Sequence, residues 1–166
     1  MKLVAKHIYL RNITVADASV ILAWENNPEN WEISDTKEPF TAQEIDDFVH
    51  LLQDIHIQKQ LRLIICENKM GKPIGCIDLF EFEKGKSAGI GILIADKNYR
   101  NKGLATEALK QVVNYCRNEL KLAYIFCNIF RNNKASIRLF ENCGFEFVEQ
   151  RLLNQQKVNY FELKMW

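Results

Sequence analysis

The sequence predicts one α/β (α+β) domain, built on a mixed, mostly antiparallel sheet of about seven strands with flanking helices. Three observations predict it. An apolar run at 90–95 passes through a polar loop, 96–102, into a helix that opens at Gly103, and a second apolar run at 123–130 follows that helix. A strand, helix and strand joined in this way pair in parallel through a right-handed crossover. Two more strand-like runs, 61–67 and 74–83, precede residue 90 with only short turns between them, so that part of the sheet is antiparallel. The chain then ends on two strands around a turn, and its 166 residues suffice for a single core that buries roughly 70% of the unfolded surface.

Composition narrows the function classes. A hydrophobic share of 48% and a charged share of 26% are ordinary for a globular protein, and a formal net charge of +1 gives no field to recruit nucleic acid or an anionic membrane. Neither a membrane span nor a signal-peptide core is visible, so a cytoplasmic location is expected. The five cysteines are scattered in apolar runs without a C-x-x-C pair, and His7, His50 and His56 lack metal spacing, so neither disulfides nor a metal site is expected.

In chain order, Ile8, Leu10 and Ile13 suggest the first strand by alternation. Thr14 reads as a helix cap with Asp17 in the first turn, and Val15, Ala18 and Leu22 lay one helical face on the core. Pro28 breaks that helix, leaving a polar loop with Trp24 and Trp31 as exposed-looking aromatics. The segment 26–40 carries Glu29, Glu32, Asp35 and Glu38, read either as a solvated acidic loop or as an acidic mouth for a cationic amine. Thr41 and Glu44 form a capping box for a helix with Ile45, Phe48, Val49, Leu52 and Ile55 on one face. After the three antiparallel strands, the helix from 103 to 119 buries Ala105, Leu109, Val112, Val113, Cys116 and Leu120. A helix over 133–143, capped by Asn133 through Ser136 and stopped by Gly144, buries Ala135, Leu139 and Cys143. Strands at 147–154 and 158–165 close the domain.

Two features carry chemistry. The junction around Gly103 aims several backbone N–H groups and a helix dipole at one place, which suits a phosphate or pyrophosphate, with Arg100 and Lys102 adding formal charge. A plain strand–turn–helix corner is the alternative there. Alternation over 74–83 puts Ile74, Cys76, Asp78, Phe80 and Phe82 on one face, and Asp78 is the only acid in that stripe. Partial burial would suit Asp78 to accept a proton, whereas a solvent-facing stripe or an ion pair with a nearby Lys or Arg would leave it a structural residue. Glu81 lies on the opposite face.

The sequence R-N-K-G-L-A at 100–105, after a buried strand, resembles the acetyl-CoA pyrophosphate loop of the GNAT N-acetyltransferase superfamily. N-K-A-S-I-R-L-F-E-N-C-G-F at 133–145 resembles its second signature. The resemblance covers essentially residues 1–166 as a single acetyltransferase domain, closest in character to the ribosomal-protein alanine and spermidine N-acetyltransferases. It implies a splayed parallel strand pair that admits the pantetheine arm of acetyl-CoA against Ile92, Leu93 and Ile94. It also implies that the N–H of Leu93 or Ile94 faces the thioester oxygen, and that Arg100, Asn101, Lys102, Gly103, Leu104 and Ala105 hold the pyrophosphate. Asn133 and Ser136 would meet the pantetheine end beside Phe140, which stands where many relatives place a tyrosine to protonate the leaving thiolate. Tyr99, Tyr124 or water could replace that proton donor. G-C-I-D-L at 75–79 is similar to the G-x-x-E-L context of spermidine acetyltransferases, which would make Asp78 the base, while Gly89 stands where many relatives have an acid.

The expected activity is therefore acetyl transfer to a primary amine by direct attack. The acceptor is either a small polyamine-like molecule, for which Trp31, Glu32 and Asp35 are candidate contacts, or a peptide N-terminus against Trp24, Trp31 and Phe40. A non-catalytic acyl-CoA-binding module is the competing reading, nucleic acid and membrane are not expected partners, and a homodimer is left open.

Overall fold

The computed structural model describes residues 1–31 and 38–166, Trp31 by its backbone alone. The chain opens on a short hairpin, β1 (Lys2–Val4) and β2 (Ile8–Asn12). β1 was not anticipated: three residues without a buried side chain leave no alternation to read, and among the described residues the sheet has eight strands where about seven were expected.

A 3-10 turn, Val15–Asp17, leads into α1 (Ala18–Glu25). Asp17 reaches back to accept the Thr14 N–H at 2.8 Å, and Arg11 grips both of its oxygens at 2.8 Å. Burial pushes the Asp17 carboxyl up, but the hydrogen bonds from Arg11 and Thr14 outweigh it and hold the group below the usual carboxylate range. A carboxyl lowered by folding adds stability that is complete above its unfolded value, about 3.9, and is lost as pH falls through the folded value. Asp17→Asn is thus expected to cost about 2–3 kcal/mol near neutrality, less than a fully enclosed pair because a quarter of the Arg11 side chain stays in water. Denaturant melts should show that difference shrinking toward pH 2–3, a window set by the same unfolded reference.

Pro28 does not end helical structure but starts α2 (Pro28–Trp31), since its missing N–H falls among groups that have no helical partner anyway. Trp24, read as exposed, is partly buried against the core under α1, and so is Phe40. α3 (Ala42–Val49) begins at the predicted cap, with Thr41 Oγ1 accepting the Glu44 N–H at 3.1 Å. It stops short of Ile55, because the Asp54 carboxylate captures the His56 N–H at 2.8 Å and starts the separate turn α4 (Ile55–Gln58), leaving Leu52 exposed.

β3 (Leu61–Glu67), β4 (Pro73–Glu83) and β5 (Ser87–Ile94) are antiparallel, as expected. The stripe on β4 is shorter than alternation implied. Register shifts beside Ile65–Cys66 and at Phe80–Glu83, where Glu81 takes φ 49°, turn Ile74 and Phe82 to the other face. Only Cys76, Asp78 and Phe80 remain together. A 3-10 turn at Lys97–Tyr99 then leads to α5 (Leu104–Asn118), β6 (Tyr124–Phe130), α6 (Lys134–Asn142) and the hairpin β7 (Glu146–Leu153) and β8 (Gln156–Lys164).

The strand order is β1-β2-β3-β4-β5-β6-β8-β7, and β5–β6 is the parallel pair. α5 packs Leu109, Val112 and Cys116 on one sheet face with Leu63, Ile77 and Ile90, while α1 and α3 cover Ile64 and Cys76 on the other. Among the described residues no helix is long and apolar enough to cross a membrane.

Candidate active site

The site follows from where two neighbouring strands part. β5 and β6 are in register only at Ser87–Tyr124, Ala88–Ile125 and Gly89–Phe126. Beyond Gly89 the two separate, β6 stays paired with β8, and a cleft of about 620 Å³ opens against the free side of β5. Residues 90–95 were expected to be buried on both faces. In fact residues 87–90 are buried while 91–94 are half-exposed, because they line the cleft.

Peptide groups along a strand point alternately to its two sides. Ala95 donates its N–H to the Ile74 carbonyl on β4 at 2.8 Å, and the Leu93 carbonyl lies so close to Gly75 that a Cβ there would collide with it. The peptide groups of Leu93 are therefore turned toward β4. Those of Ile92 and Ile94 face the cleft, so of the two N–H donors expected for a thioester oxygen Ile94 is the one on the open side. Leu93 contributes its side chain to the core under α1 and lines the cleft, a correction that depends on the register with β4.

The far end of the cleft meets the start of α5. Gly103 caps that helix at φ 77°, the left-handed region, and a Cβ there would meet nothing within 4 Å, so backbone conformation rather than crowding calls for glycine. Glu107 is the first residue of α5 whose N–H returns to Gly103, at 3.2 Å, which leaves the Leu104, Ala105 and Thr106 N–H groups for an outside acceptor. Arg100, Asn101, Gly103, Leu104 and Ala105 all line the cleft. Arg100 is already engaged, donating through Nε to the Ile94 carbonyl at 2.8 Å, so it braces strand against loop as well as bringing charge. Lys102 does not line the cleft and is exposed, its Nζ 5.7 Å from the Tyr99 ring. A clamp that sequence did not suggest fixes α5 in place: the His7 N–H and Nδ1 each lie 2.8 Å from the Glu107 carboxylate. Burial raises the Glu107 carboxyl, yet these bonds hold it below the usual range.

On the opposite wall, Asn133 accepts the Ser136 N–H at 3.2 Å, and both line the cleft. Of the expected stripe of α6, Ala135 is exposed and lines the cleft, Leu139 lines it while packing partly buried on the core, and Cys143 packs partly buried on the core away from it; Phe140 is the buried anchor, edge-on to Phe145 at 5.0 Å. Asn128, the lone amide in the apolar run of β6, also lines the cleft, and that interruption was the available signal.

Asp78 is not the isolated acid that alternation suggested. Arg62 binds it through Nε at 2.7 Å and Nη2 at 2.8 Å, and reaches Glu25 Oε1 with Nη1 at 2.7 Å. Burial opposes the charge on Arg62, but Asp78 and Glu25 overcome it and keep the guanidinium firmly protonated. Asp78 borders a smaller hollow beside α3 rather than the main cleft. Gly89 is explained by packing, since a Cβ would strike the Phe80 ring. Gly91, opposite Asp78 on β5, has open space where a Cβ would project. Of the acids flanking the mouth, Glu29 lines the cleft and pairs with Lys97 at 2.8 Å, and Glu38 is exposed. Glu32, Asp35 and the side chain of Trp31 lie outside the described residues. Burial raises the thiols of Cys76 and Cys116 to about 12 and raises Cys127 further, so none is a ready nucleophile.

These residues fit a long thioester cofactor with a diphosphate: a free strand edge for amides, a helix N-terminus for the anion, and open space between. Residues 7–146 match the acetyltransferase (GNAT) domain family. A probable N-acetyltransferase of Bacillus subtilis, YjcK, is 29% identical over 152 residues, spanning 84% of this chain and 81% of that protein. The spermidine N(1)-acetyltransferase of Escherichia coli K12 is 27% identical over 125 residues, 74% of this chain and 64% of that protein. Among solved structures, spermidine N-acetyltransferase from Vibrio cholerae in complex with CoA and spermine superposes with a TM-score of 0.84 at 22% identity, over 96% of each chain. The chain therefore belongs to the GNAT acetyltransferase family, an enzyme with acetyl-CoA as its co-substrate.

Proposed function

We propose that this N-acetyltransferase acetylates a primary amine of a small polyamine-like molecule by direct attack, without an acyl-enzyme. The observation that carries the reading is the unpaired side of β5 from Gly91 to Ile94, which runs to the N-terminus of α5 at Gly103. The polyamine preference is supported by the relatives named for spermidine and spermine.

Bound acetyl-CoA supplies an activated acetyl group. The residues around it do the rest. Ile92 offers its N–H and C=O to the amides of the arm as an added strand would, which leaves the Ile94 N–H for the thioester. The N–H groups of Leu104, Ala105 and Thr106 hold the diphosphate at the positive end of α5, with Arg100, Asn101, Gly103 and the nearby Lys102 completing the loop. Asn133 and Ser136 border the opposite wall, and Phe140 closes it without a hydroxyl. The Ile94 N–H donates to the carbonyl oxygen as the amine nitrogen forms its bond to carbon and the carbon–sulfur bond breaks. With Phe140 and Asp78 both unsuited to proton transfer, the ammonium proton goes to water and the thiolate, whose parent thiol has a pKa of about 8.5, leaves unassisted. Holding amine and thioester together is then the main contribution, several kcal/mol.

The test is release of free thiol from acetyl-CoA with spermidine, spermine, an alanyl peptide and an aminoglycoside. Turnover with the two polyamines is expected, rising with pH toward the ammonium value of about 10.4. Turnover with the peptide alone would move the acceptor to a protein N-terminus. CoA binding without turnover on any amine would make the domain a non-catalytic acyl-CoA-binding module.

A further inference from the structure

The two faces of the sheet are covered unequally. α5 packs on one; on the other, α1 and α3 reach Ile64 and Cys76 on β3 and β4. On β6 and β8 this second face carries Phe126, Asn128, Tyr160 and Glu162, because their neighbours Ile125, Cys127 and Phe161 are turned into the core under α5. A hollow of about 490 Å³ lies over these side chains, and every described residue that lines it belongs to a strand. Asn128 lines both this hollow and the reaction cleft, so the two spaces meet at that side chain.

The floor of the hollow is aromatic. The rings of Phe80, Phe126 and Tyr160 form a row across β4, β6 and β8, with centroids 5.9 and 5.8 Å apart. At the end of the row, Glu162 Oε2 accepts the Tyr160 hydroxyl at 2.6 Å. That bond fixes the carboxylate, and among the described residues no lysine or arginine comes within ion-pair distance of it. Arg151, the only cation among the described residues lining the hollow, is engaged elsewhere: its Nε is 2.7 Å from Glu149 Oε1, and its guanidinium lies 3.4 Å from the centre of the Tyr160 ring. Glu81 and Glu83 stand on the rim, Glu83 paired with Lys86 at 3.0 Å. Rings that can carry methylene groups, with a fixed carboxylate beyond them, are complementary to an alkylammonium.

Building on the amine acceptor argued above, we propose that this hollow is the specificity subsite of the enzyme. With one amine at the thioester beside Gly91, the carbon chain passes Asn128 and lies over Phe126 and Tyr160, and Glu162 holds a second ammonium. Asn128 stands opposite Tyr160 and Glu162 opposite Phe126, so the backbones of Asn128 and Glu162 are roughly 8 Å apart, a span that a polyamine crosses. Glu162→Gln is the test variant, because its amide oxygen still accepts the Tyr160 hydroxyl and only the charge is lost. Thiol release from acetyl-CoA is measured with spermidine and with butylamine, which has no second ammonium. The unaltered protein should prefer spermidine in kcat/KM by at least about tenfold, and Glu162→Gln should bring the two amines within about threefold of each other. Calorimetric titration of spermidine into the CoA-loaded protein gives a second readout, its Kd weakened at least about tenfold by the same change. Spermidine turnover with a preference and a Kd indifferent to Glu162→Gln overturns the subsite and leaves the acetylation reading standing. Spermidine that does not bind the CoA-loaded protein overturns the subsite as well. Binding that depends on Glu162, with turnover on no amine, supports the subsite and overturns the acetylation reading.

Discussion

Gly91→Leu is expected to abolish acetyl transfer while leaving the protein folded. Most glycines in this sheet have a packing reason: Gly75 lies under the Leu93 carbonyl and Gly89 under the Phe80 ring. Gly91 has none, since a Cβ there meets nothing within 4 Å and its backbone is not in the left-handed region. A leucine should therefore be neutral for stability or gain roughly 0.4–1 kcal/mol by restricting the unfolded chain. Its side chain would project beside the cleft, at the place on β5 where the proposed reaction needs an amine to approach the thioester. Displacing reacting groups by an ångström costs on the order of 10²-fold in rate, and a branched side chain in that gap displaces them further. The check is paired: thiol release falls by at least about 10²-fold, while the thermal midpoint holds or rises. Full activity in this variant would move the acceptor's approach away from β5.

Arg62→Met is expected to be the most damaging single change to stability outside the hydrophobic core, at about 3–5 kcal/mol. Arg62 is the shared partner of Glu25 from α1 and Asp78 from β4, its side chain is only 16% exposed, and the Phe48 ring lies 5.3 Å from its guanidinium carbon. Removing it takes the guanidinium away from both carboxylates in a partly buried corner. For a chain of this size, a loss of that order lowers the thermal midpoint by roughly 10 °C. Asp78→Asn keeps one carboxylate on the guanidinium and should cost less. It should also leave the shape of the turnover–pH profile unchanged, because a carboxylate held through both oxygens by Arg62 positions that residue and does not accept the substrate proton. A profile flattened by Asp78→Asn would return the role of base to Asp78.

What the sequence revealed, and what it hid, divides by the range of the interactions involved. The succession of β5, α5, β6 and α6 was readable because each is long and strongly periodic, and the caps at Thr41 and Asn133 act within three residues. The three residues of β1 were too few to show a period, and α3 ended early because the local hydrogen bond of Asp54 competed with a continuing apolar pattern. Features set by register were out of reach. The bulges that break the β4 stripe, and the direction of the peptide groups of Leu93 against Ile94, depend on which residue of a neighbouring strand lies opposite. The partner of Asp78 lies 16 positions away, and that of His7 lies 100 away. The two candidate motifs around the cleft were legible because each places its backbone groups locally, at the mouth of a helix.

The central claim is that main-chain amides, rather than a dedicated acid and base, hold and activate the cofactor. Backbone amide chemical shifts of the labelled protein titrated with CoA test it most directly. The account predicts large shifts at Ile92, Ile94, Leu104, Ala105 and Thr106, with Leu93 changing little because its amide already faces β4. Binding that moved none of these amides, or that left Ile94 still while shifting residues on the α3 side of the sheet, would contradict it.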